Sequence, residues 1–244
     1  MVSDTVPSLH IDGARATIRL RRPREHNRLD PSDLGVLLEH FESARADKAV
    51  RVLVVTGTGE KTFSSGYTVA AIREHLDDRL ERVLDTLESL PLPVVCALNG
   101  SVYGGAVDLA LCCDFRVGVK GSRMFMPAAK FGLHYYPGGI RRYVTRLGLN
   151  SAKKLFLTAL PIDADEMLRI GFLTELVGPN QLEQEVGRYV DALLQCEPGV
   201  VASMKLHLNH TADGNIDLVA QRAAYEQSLQ SDELARRLQA LVKV

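Results

Sequence analysis

The stretch NGSVYGGAVDLALCCDF, residues 99–115, places two glycines and a carboxylate where a strand pattern gives way to a helix pattern. Gly104 and Gly105 would open the helix, and Asp108 would lie one turn inside it. A helix start presents free backbone N–H groups, and two that converge stabilise an oxyanion; loss of one such donor typically costs about 100- to 1000-fold in rate. Spacing alone leaves two simpler explanations open, namely that the glycines permit tight packing and that Asp108 stabilises the helix dipole.

A second junction of the same kind is TFSSGYTVAAI, residues 62–72, which follows a strand pattern ending at Gly57. In a parallel sheet both junctions would lie at the carboxyl ends of strands, where ligands bind. Motifs for nucleotide binding and for serine hydrolases are absent. GTGEKT has neither the third glycine of a dinucleotide fingerprint nor P-loop spacing, and there is no G-x-S-x-G elbow. The seven histidines form no metal-ligand pattern, so we expect no metal site.

The elements that must hold these junctions alternate between strands and helices. Residues 50–57 form a continuous β-branched run, typical of a strand covered on both faces, and residues 93–100 indicate another buried strand. Asp30 with Pro31 predicts a helix start. This alternation predicts an α/β fold with a largely parallel sheet. After about residue 140 the patterns are helical, so we predict a core over residues 1–140 and a helical region over residues 141–244, as one folded unit.

The composition and charge of the chain indicate which partners and which location to expect. The formal net charge of −1 lacks the basic excess of a nucleic-acid binder, so we expect no nucleic-acid partner. We also expect no membrane span, no signal peptide and a cytoplasmic location. The four cysteines, in apolar surroundings without metal-ligand spacing, are expected to be buried and inert; they are Cys96, Cys112, Cys113 and Cys196.

Several motifs in order resemble the crotonase (enoyl-CoA hydratase/isomerase) superfamily: FSSGYTV, PVVCALNGSVYGGAVDLALCCDFRV and FMPAAKFGLHYYPGGIRRYVTRLG. The resemblance covers residues 14–177 well. It implies the crotonase (ClpP-like) spiral of ββα units, with residues 1–140 as an acyl-CoA-binding core and a helical C-terminal trimerisation region. The expected partners are an acyl-CoA thioester and copies of the chain in a homotrimer or a dimer of trimers. No cofactor is implied besides the coenzyme A of the substrate.

The resemblance also implies the site residues. The two backbone N–H groups that hold a thioester enolate would belong to Tyr67 and Gly105. The segments that usually cradle coenzyme A match Glu25, Asn27, Ser64, Ser65 and Gly66.

Departures from the family pattern affect the expected reaction. Of the two glutamates of a hydratase, the first falls at Asp108 and the second at Ala128, and Thr68 replaces a usual aspartate. Addition of water requires paired acid–base groups, so ordinary hydration is disfavoured. The loop KFGLHYYPGG is similar to the methylmalonyl-CoA decarboxylase branch, in which a tyrosine matching Tyr135 lies near the substrate carboxylate. His134 is a further candidate for orienting that carboxylate or delivering a proton. The alternative for both residues is that they only pack in the wall of the site.

We therefore expect a crotonase-family lyase or isomerase that forms a thioester enolate, by decarboxylation or isomerisation rather than hydration. Two alternatives stay open: an acyl-CoA-binding protein without turnover, and a hydratase with altered acid–base residues.

Overall fold

The computed structural model describes residues 5–242 of the chain, and within them the strands form two β-sheets. The strands are β1 (Ser8–Asp12), β2 (Arg15–Leu20), β3 (Val52–Gly57), β4 (Thr62–Ser64), β5 (Val94–Leu98), β6 (Ser101–Tyr103), β7 (Phe115–Val119), β8 (Arg123–Phe125), β9 (Ile162–Asp163) and β10 (Glu175–Val177). The larger sheet has the order β1-β2-β3-β5-β7-β10, and the smaller sheet has the order β4-β6-β8-β9.

Helices connect and cover these sheets. They are α1 (Pro31–Ala46), α2 (Ile72–His75), α3 (Asp78–Ser89), α4 (Gly105–Leu111), α5 (Pro137–Leu147), α6 (Leu149–Lys153), α7 (Ala164–Arg169), α8 (Leu182–Gln195), α9 (Pro198–Ala212), α10 (Leu218–Leu229) and α11 (Asp232–Val242). Short 3₁₀ turns occupy Pro23–Glu25, Val69–Ala71, Ala128–Phe131 and Pro179–Gln181, and a π-helical segment occupies Lys154–Thr158.

Consecutive strands of the chain alternate between the two sheets. β3, β5 and β7 enter the larger sheet, and the strands that follow them, β4, β6 and β8, enter the smaller one before the chain turns into a helix. Neighbours among β2, β3, β5, β7 and β10 are parallel, so this repeat builds a spiral of ββα turns. The predicted α/β fold class is confirmed.

The larger sheet is covered on both faces, as its continuous β-branched runs predict. Leu53 and Val55 of β3 belong to the main core, whereas Val52 and Val54, which point the other way, pack with Val186 and Val190 of α8 in a second cluster. Covering both faces of β3 and β5 fixes the strand ends from which the functional loops begin.

The chain divides into two compact units, and the first of them ends at Gln195. The predicted boundary at residue 140 lies inside this unit, because β9 pairs with β8 and β10 pairs with β7. The second unit begins at Cys196 and contains α9, α10 and α11.

Three of the four thiols, those of Cys96, Cys112 and Cys113, are buried as expected. The expectation is wrong for Cys196, which is exposed because it lies in the short connection between α8 and α9. Within residues 5–242 no helix combines the length and the apolar character that crossing a membrane requires.

Candidate active site

The two glycine-containing junctions meet at the ends of β4 and β6. Gly66 has a φ of +84°, and a Cβ atom on it would lie 2.7 Å from the nitrogen of Gly105 and 3.1 Å from that of Ala106. A Cβ on Gly105 would lie 3.7 Å from the nitrogen of Tyr67. Only glycine permits this approach at position 66, and it brings the backbone N–H groups of Tyr67 and Gly105 side by side.

Both of these N–H groups are free to bind a ligand. The main chain around Tyr67 is held by bonds on either side of it, from Leu29 N to Gly66 O (2.8 Å) and from Thr68 N to Leu29 O (2.9 Å). Gly105 is the first residue of α4, so its N–H has no partner within the helix. Among residues 5–242, neither amide donates a hydrogen bond to another group. The pair has the arrangement of an oxyanion hole.

A cavity of about 530 Å³ lies in front of these amides and is lined mainly by apolar side chains. Tyr67, Gly104 and Gly105 form part of its wall, and Val69 and Phe131, both largely exposed, lie at its edge. A concave, mostly apolar cavity with a few polar groups is typical of a small-molecule site.

Ala128 lines this cavity at the start of the 3₁₀ turn Ala128–Phe131 and is 5% exposed. A methyl group therefore occupies the wall position where the resemblance leads one to look for a second carboxylate.

The carboxylate of Asp108 lies outside the cavity lining and is fully buried. Its Oδ1 accepts a hydrogen bond from Nε of Arg142 at 2.9 Å, and its Oδ2 accepts one from the hydroxyl of Tyr136. Burial raises the pKa of Asp108, although Arg142 and the Tyr136 hydrogen bond oppose that rise. The catalytic role predicted for Asp108 stays a prediction, and in this structure Tyr135 and Tyr136 stand between its carboxylate and the cavity.

Arg142 joins Asp108 to acidic residues of α3. Its Nη1 donates to Asp85 at 2.9 Å and to Glu88 at 3.1 Å, and its side chain is fully buried. Glu88 also contacts Arg141 at 2.5 Å and Arg146 at 3.0 Å. This network ties α3, α4 and α5 together behind the cavity wall.

The predicted residues of the loop before α5 do line the cavity. The Tyr135 ring packs on Gly139, where a Cβ would lie 2.2 Å from its Cε1 atom, and the Tyr135 hydroxyl is 3.4 Å from Oδ2 of Asp108. Burial and the nearby Asp108 raise the pKa of both Tyr135 and Tyr136. His134 is exposed, and its Nδ1 lies 2.8 Å from the carbonyl of Tyr135.

Of the five residues in the segments predicted to cradle coenzyme A, only Ser65 lines the cavity. Ser64 and Asn27 are buried and brace the loop: the Ser64 hydroxyl donates to the Asn27 carbonyl at 2.7 Å, and the Asn27 amide donates to the carbonyls of Thr58 and Thr62. Glu25 is exposed and pairs with Arg28. Gly66 contributes the close approach of its main chain to Gly105.

Sequence reasoning missed Glu81 and Arg142. Glu81 lines the cavity and is partly buried. Acids recur along α3 at helical spacing, at positions 78, 81, 85 and 88, and a cluster of arginines lies in α5. That pattern could have suggested facing charges, but it does not indicate which acid stays unpaired.

Comparison with known proteins shows the family of the chain. The chain matches the sequence model of the family described as enoyl-CoA hydratase/isomerase over residues 11–238. It belongs to this family. It is 30% identical over 209 residues to a crotonyl-CoA hydratase of Syntrophomonas wolfei, which covers 83% of this chain and 80% of that protein. It is also 30% identical over 212 residues to a carnitinyl-CoA dehydratase of Salmonella arizonae, covering 84% and 81% of the two chains.

Solved structures agree with this membership at the level of fold. An enoyl-CoA hydratase from Bacillus anthracis superposes with a TM-score of 0.88 at 24% identity, covering 97% of this chain and 96% of that one. An enoyl-CoA hydratase/carnitine racemase from Magnetospirillum magneticum gives a TM-score of 0.89 at 24% identity, covering 98% and 92%. The crotonase superfamily suggested by the sequence motifs is confirmed.

Proposed function

We propose that this member of the enoyl-CoA hydratase/isomerase family binds an acyl-CoA thioester and forms its enolate in the cavity. The thioester oxygen would accept hydrogen bonds from the N–H groups of Tyr67 and Gly105 and would carry the negative charge as the enolate forms. The observation that carries this proposal is the contact between Gly66 and Gly105, which places two unpartnered amides side by side on the cavity wall.

We further propose decarboxylation or a double-bond shift, rather than ordinary hydration. Hydration needs one group that activates water and another that protonates carbon. At the two positions implied by the family, Ala128 supplies a methyl group and the carboxylate of Asp108 is engaged by Arg142 and Tyr136. Both proposed reactions pass through a thioester enolate, which the two amides would stabilise.

Incubation with three thioesters tests the reaction: crotonyl-CoA, a 3-enoyl-CoA and methylmalonyl-CoA, with products followed by mass spectrometry. We expect conversion of the 3-enoyl or the methylmalonyl thioester and little hydration of crotonyl-CoA. Efficient hydration that Asp108→Ala abolishes would contradict the proposal and would favour a hydratase with altered acid–base residues.

A non-catalytic acyl-CoA-binding protein is a second candidate, favoured by the engagement of Asp108 in the ion-pair network. Calorimetry with butyryl-CoA separates the two: binding without any product from the three thioesters would support the binding protein. Any robust turnover would exclude it.

We also propose assembly as a homotrimer or a dimer of trimers through the C-terminal region. Large apolar side chains are exposed in the second unit, including Leu208 (69%), Leu218 (72%) and Val219 (82%). Single isolated apolar side chains are normal at a surface, whereas several in one small unit favour an interface. Analytical ultracentrifugation at micromolar concentration tests this proposal, and a monomer would contradict it.

A further inference from the structure

One carboxylate of the cavity wall has no partner. Three acids at the start of α3 line the cavity: Asp77, Asp78 and Glu81. Asp77 is paired with Arg79 at 2.9 Å, and Asp78 is paired with Arg82 at 3.1 Å. The carboxylate of Glu81 makes no hydrogen bond or ion pair with any residue between 5 and 242, although the residue is partly buried.

On the basis of the enolate-forming function proposed above, we propose that Glu81 is the catalytic base and acid of a double-bond shift in a 3-enoyl-CoA thioester. It is a carboxylate on the wall of the same cavity that contains the amides of Tyr67 and Gly105. The protein's own residues would then supply both requirements of the reaction, a place for negative charge and a group that moves a proton.

The step balances without a co-reactant. The Glu81 carboxylate takes a proton from C2 of the 3-enoyl thioester, and the C2–H electron pair becomes the C1–C2 double bond of a dienolate whose negative charge lies on the thioester oxygen at the two amides. Glu81 then returns the proton to C4, where the C3–C4 electron pair forms the new C–H bond. The thioester carbonyl re-forms, the C1–C2 pair becomes the C2–C3 double bond, and a 2-enoyl thioester leaves. One carboxylate suffices for this transfer, so the methyl group at Ala128 is no obstacle.

The other titratable groups of the wall suit this task less well. The hydroxyls of Tyr135 and Tyr136 point to Asp108, and burial raises the pKa of both phenols away from neutrality. Burial and Asp85 also raise the pKa of Glu81, Arg142 opposes that rise, and Asp78 and Asp108 add to it. For a carboxyl a raised pKa lies closer to neutral pH, where general bases are most efficient.

The charge of the cavity also selects the substrate. Asp77 and Asp78 are paired with arginines, so the unpaired charge of the wall is that of Glu81, and among the described lining residues there is no lysine or arginine to hold a substrate carboxylate. A second carboxylate on the acyl group would be repelled by Glu81, whereas an uncharged hydrocarbon chain can pack on the apolar part of the wall, formed by Ile72, Leu76 and Leu80. Within the proposed function, this favours the double-bond shift over decarboxylation.

The test compares Glu81→Gln with the wild type for conversion of 3-hexenoyl-CoA to 2-hexenoyl-CoA. Glu74→Gln is the matched control, because Glu74 is an exposed acid of α2 outside the cavity lining. We expect Glu81→Gln to lower kcat by about 100- to 10,000-fold, the usual contribution of a positioned acid–base group, and Glu81→Asp to recover part of the loss. Glu74→Gln should stay within about twofold of the wild type.

Two further measurements distinguish a loss of catalysis from a loss of folding or of substrate binding. Calorimetry with butyryl-CoA should give equal affinity for the wild type and Glu81→Gln, and their thermal unfolding should agree. The wild-type rate should rise with pH as the carboxyl of Glu81 loses its proton, and the glutamine variant should lack that rise.

The possible failures are distinct. Wild-type conversion that Glu81→Gln leaves within about twofold would overturn the role of Glu81 and keep the enolate function. Turnover of methylmalonyl-CoA alone would overturn the assigned substrate while the enolate function stands. A wild type that converts neither thioester would overturn the proposed function itself.

Discussion

Nε of Arg142 donates to Oδ1 of Asp108 at 2.9 Å, and both side chains are fully buried. The family pattern leads one to expect an acid at position 108 that faces substrate, whereas here a guanidinium holds that acid in the core. The pair therefore places Asp108 in the framework that supports the cavity wall.

Loss of Arg142 should destabilise the protein strongly. Arg142→Met would leave Asp108 buried without its charge partner, and breaking a buried pair in this way costs about 3–5 kcal/mol. Urea unfolding measures this change in the free energy of unfolding. Arg169→Met is the control, because Arg169 is 71% exposed in its pair with Glu166, and it should change stability by less than about 0.5 kcal/mol.

Addition of Asp108→Asn to Arg142→Met should recover part of that loss, because the uncompensated buried charge is then gone. Strictly additive effects of the two substitutions would show that the two side chains are not coupled.

Gly66→Ala should impair the oxyanion hole. Its Cβ would lie 2.7 Å from the Gly105 nitrogen, so the two amides must move apart, and we expect a loss of about 100-fold in turnover. Gly121→Ala is a matched control, since Gly121 has the same φ of +84° and nothing within 4 Å of its Cβ position. Left-handed backbone strain should cost each variant about 1–2 kcal/mol of stability, and the close contacts at position 66 should cost Gly66→Ala more, but only Gly66→Ala should lose activity.

A parallel loss of activity in both glycine variants would indicate that backbone strain, rather than the position of the amides, governs the reaction. Turnover is followed by product formation from the 3-enoyl thioester, and stability by urea unfolding.

Removal of the two tyrosine hydroxyls should have different effects. Tyr136→Phe removes a hydrogen bond to the buried Asp108 carboxylate and should cost about 1–3 kcal/mol in urea unfolding. Tyr135→Phe should change stability little, because its hydroxyl is 3.4 Å from the same oxygen and Arg142 and Tyr136 remain. If the Tyr135 hydroxyl contacts substrate, kcat/KM falls about tenfold at unchanged stability. Equal destabilisation by the two variants would contradict this difference.

Stability should fall in acid through Glu88. Burial by itself raises the pKa of this carboxyl, but Arg142, Arg141 and Arg146 outweigh it and hold the pKa below the usual value of 4.5. A lowered folded-state pKa means that the contribution is complete above about pH 4.5 and is lost as the pH falls through the folded-state value. Urea unfolding between pH 6 and pH 3 measures this loss.

Glu88→Gln should have a shallower fall than the wild type over the same range, because its amide does not titrate. Equal slopes for the two proteins would mean that other carboxylates account for the acid sensitivity.

Strands β3 and β5 could be predicted from sequence, because their unbroken β-branched runs require cover on both faces. The smaller sheet could not, since β4, β6 and β8 have three residues each, too few to show an alternation. Its place in a spiral came from the resemblance of several linked motifs, not from periodicity.

Only part of the candidate site could be predicted from the sequence. The two glycine-containing junctions could be predicted from the sequence, but the family resemblance was needed to assign the two amides to Tyr67 and Gly105, which the structure brings together. The surroundings of Asp108 could not, because its partner Arg142 lies 34 residues further along the chain. The acids of α3 are alike in sequence, and only the packing of α5 against them decides that Glu88 is paired and Glu81 is not.

The contact between Gly66 and Gly105 has a consequence for protein engineering. Because both proposed charge-stabilising donors are main-chain N–H groups, any residue except proline at position 67 keeps its donor, and we expect that relocating a single acid on the wall redirects the reaction. Ala128→Glu together with Glu81→Gln transfers the carboxylate from one side of the cavity to another while the two amides stay in place. In the proposed function, the main chain would then keep the oxyanion hole fixed while the acid–base side chains around it can be exchanged.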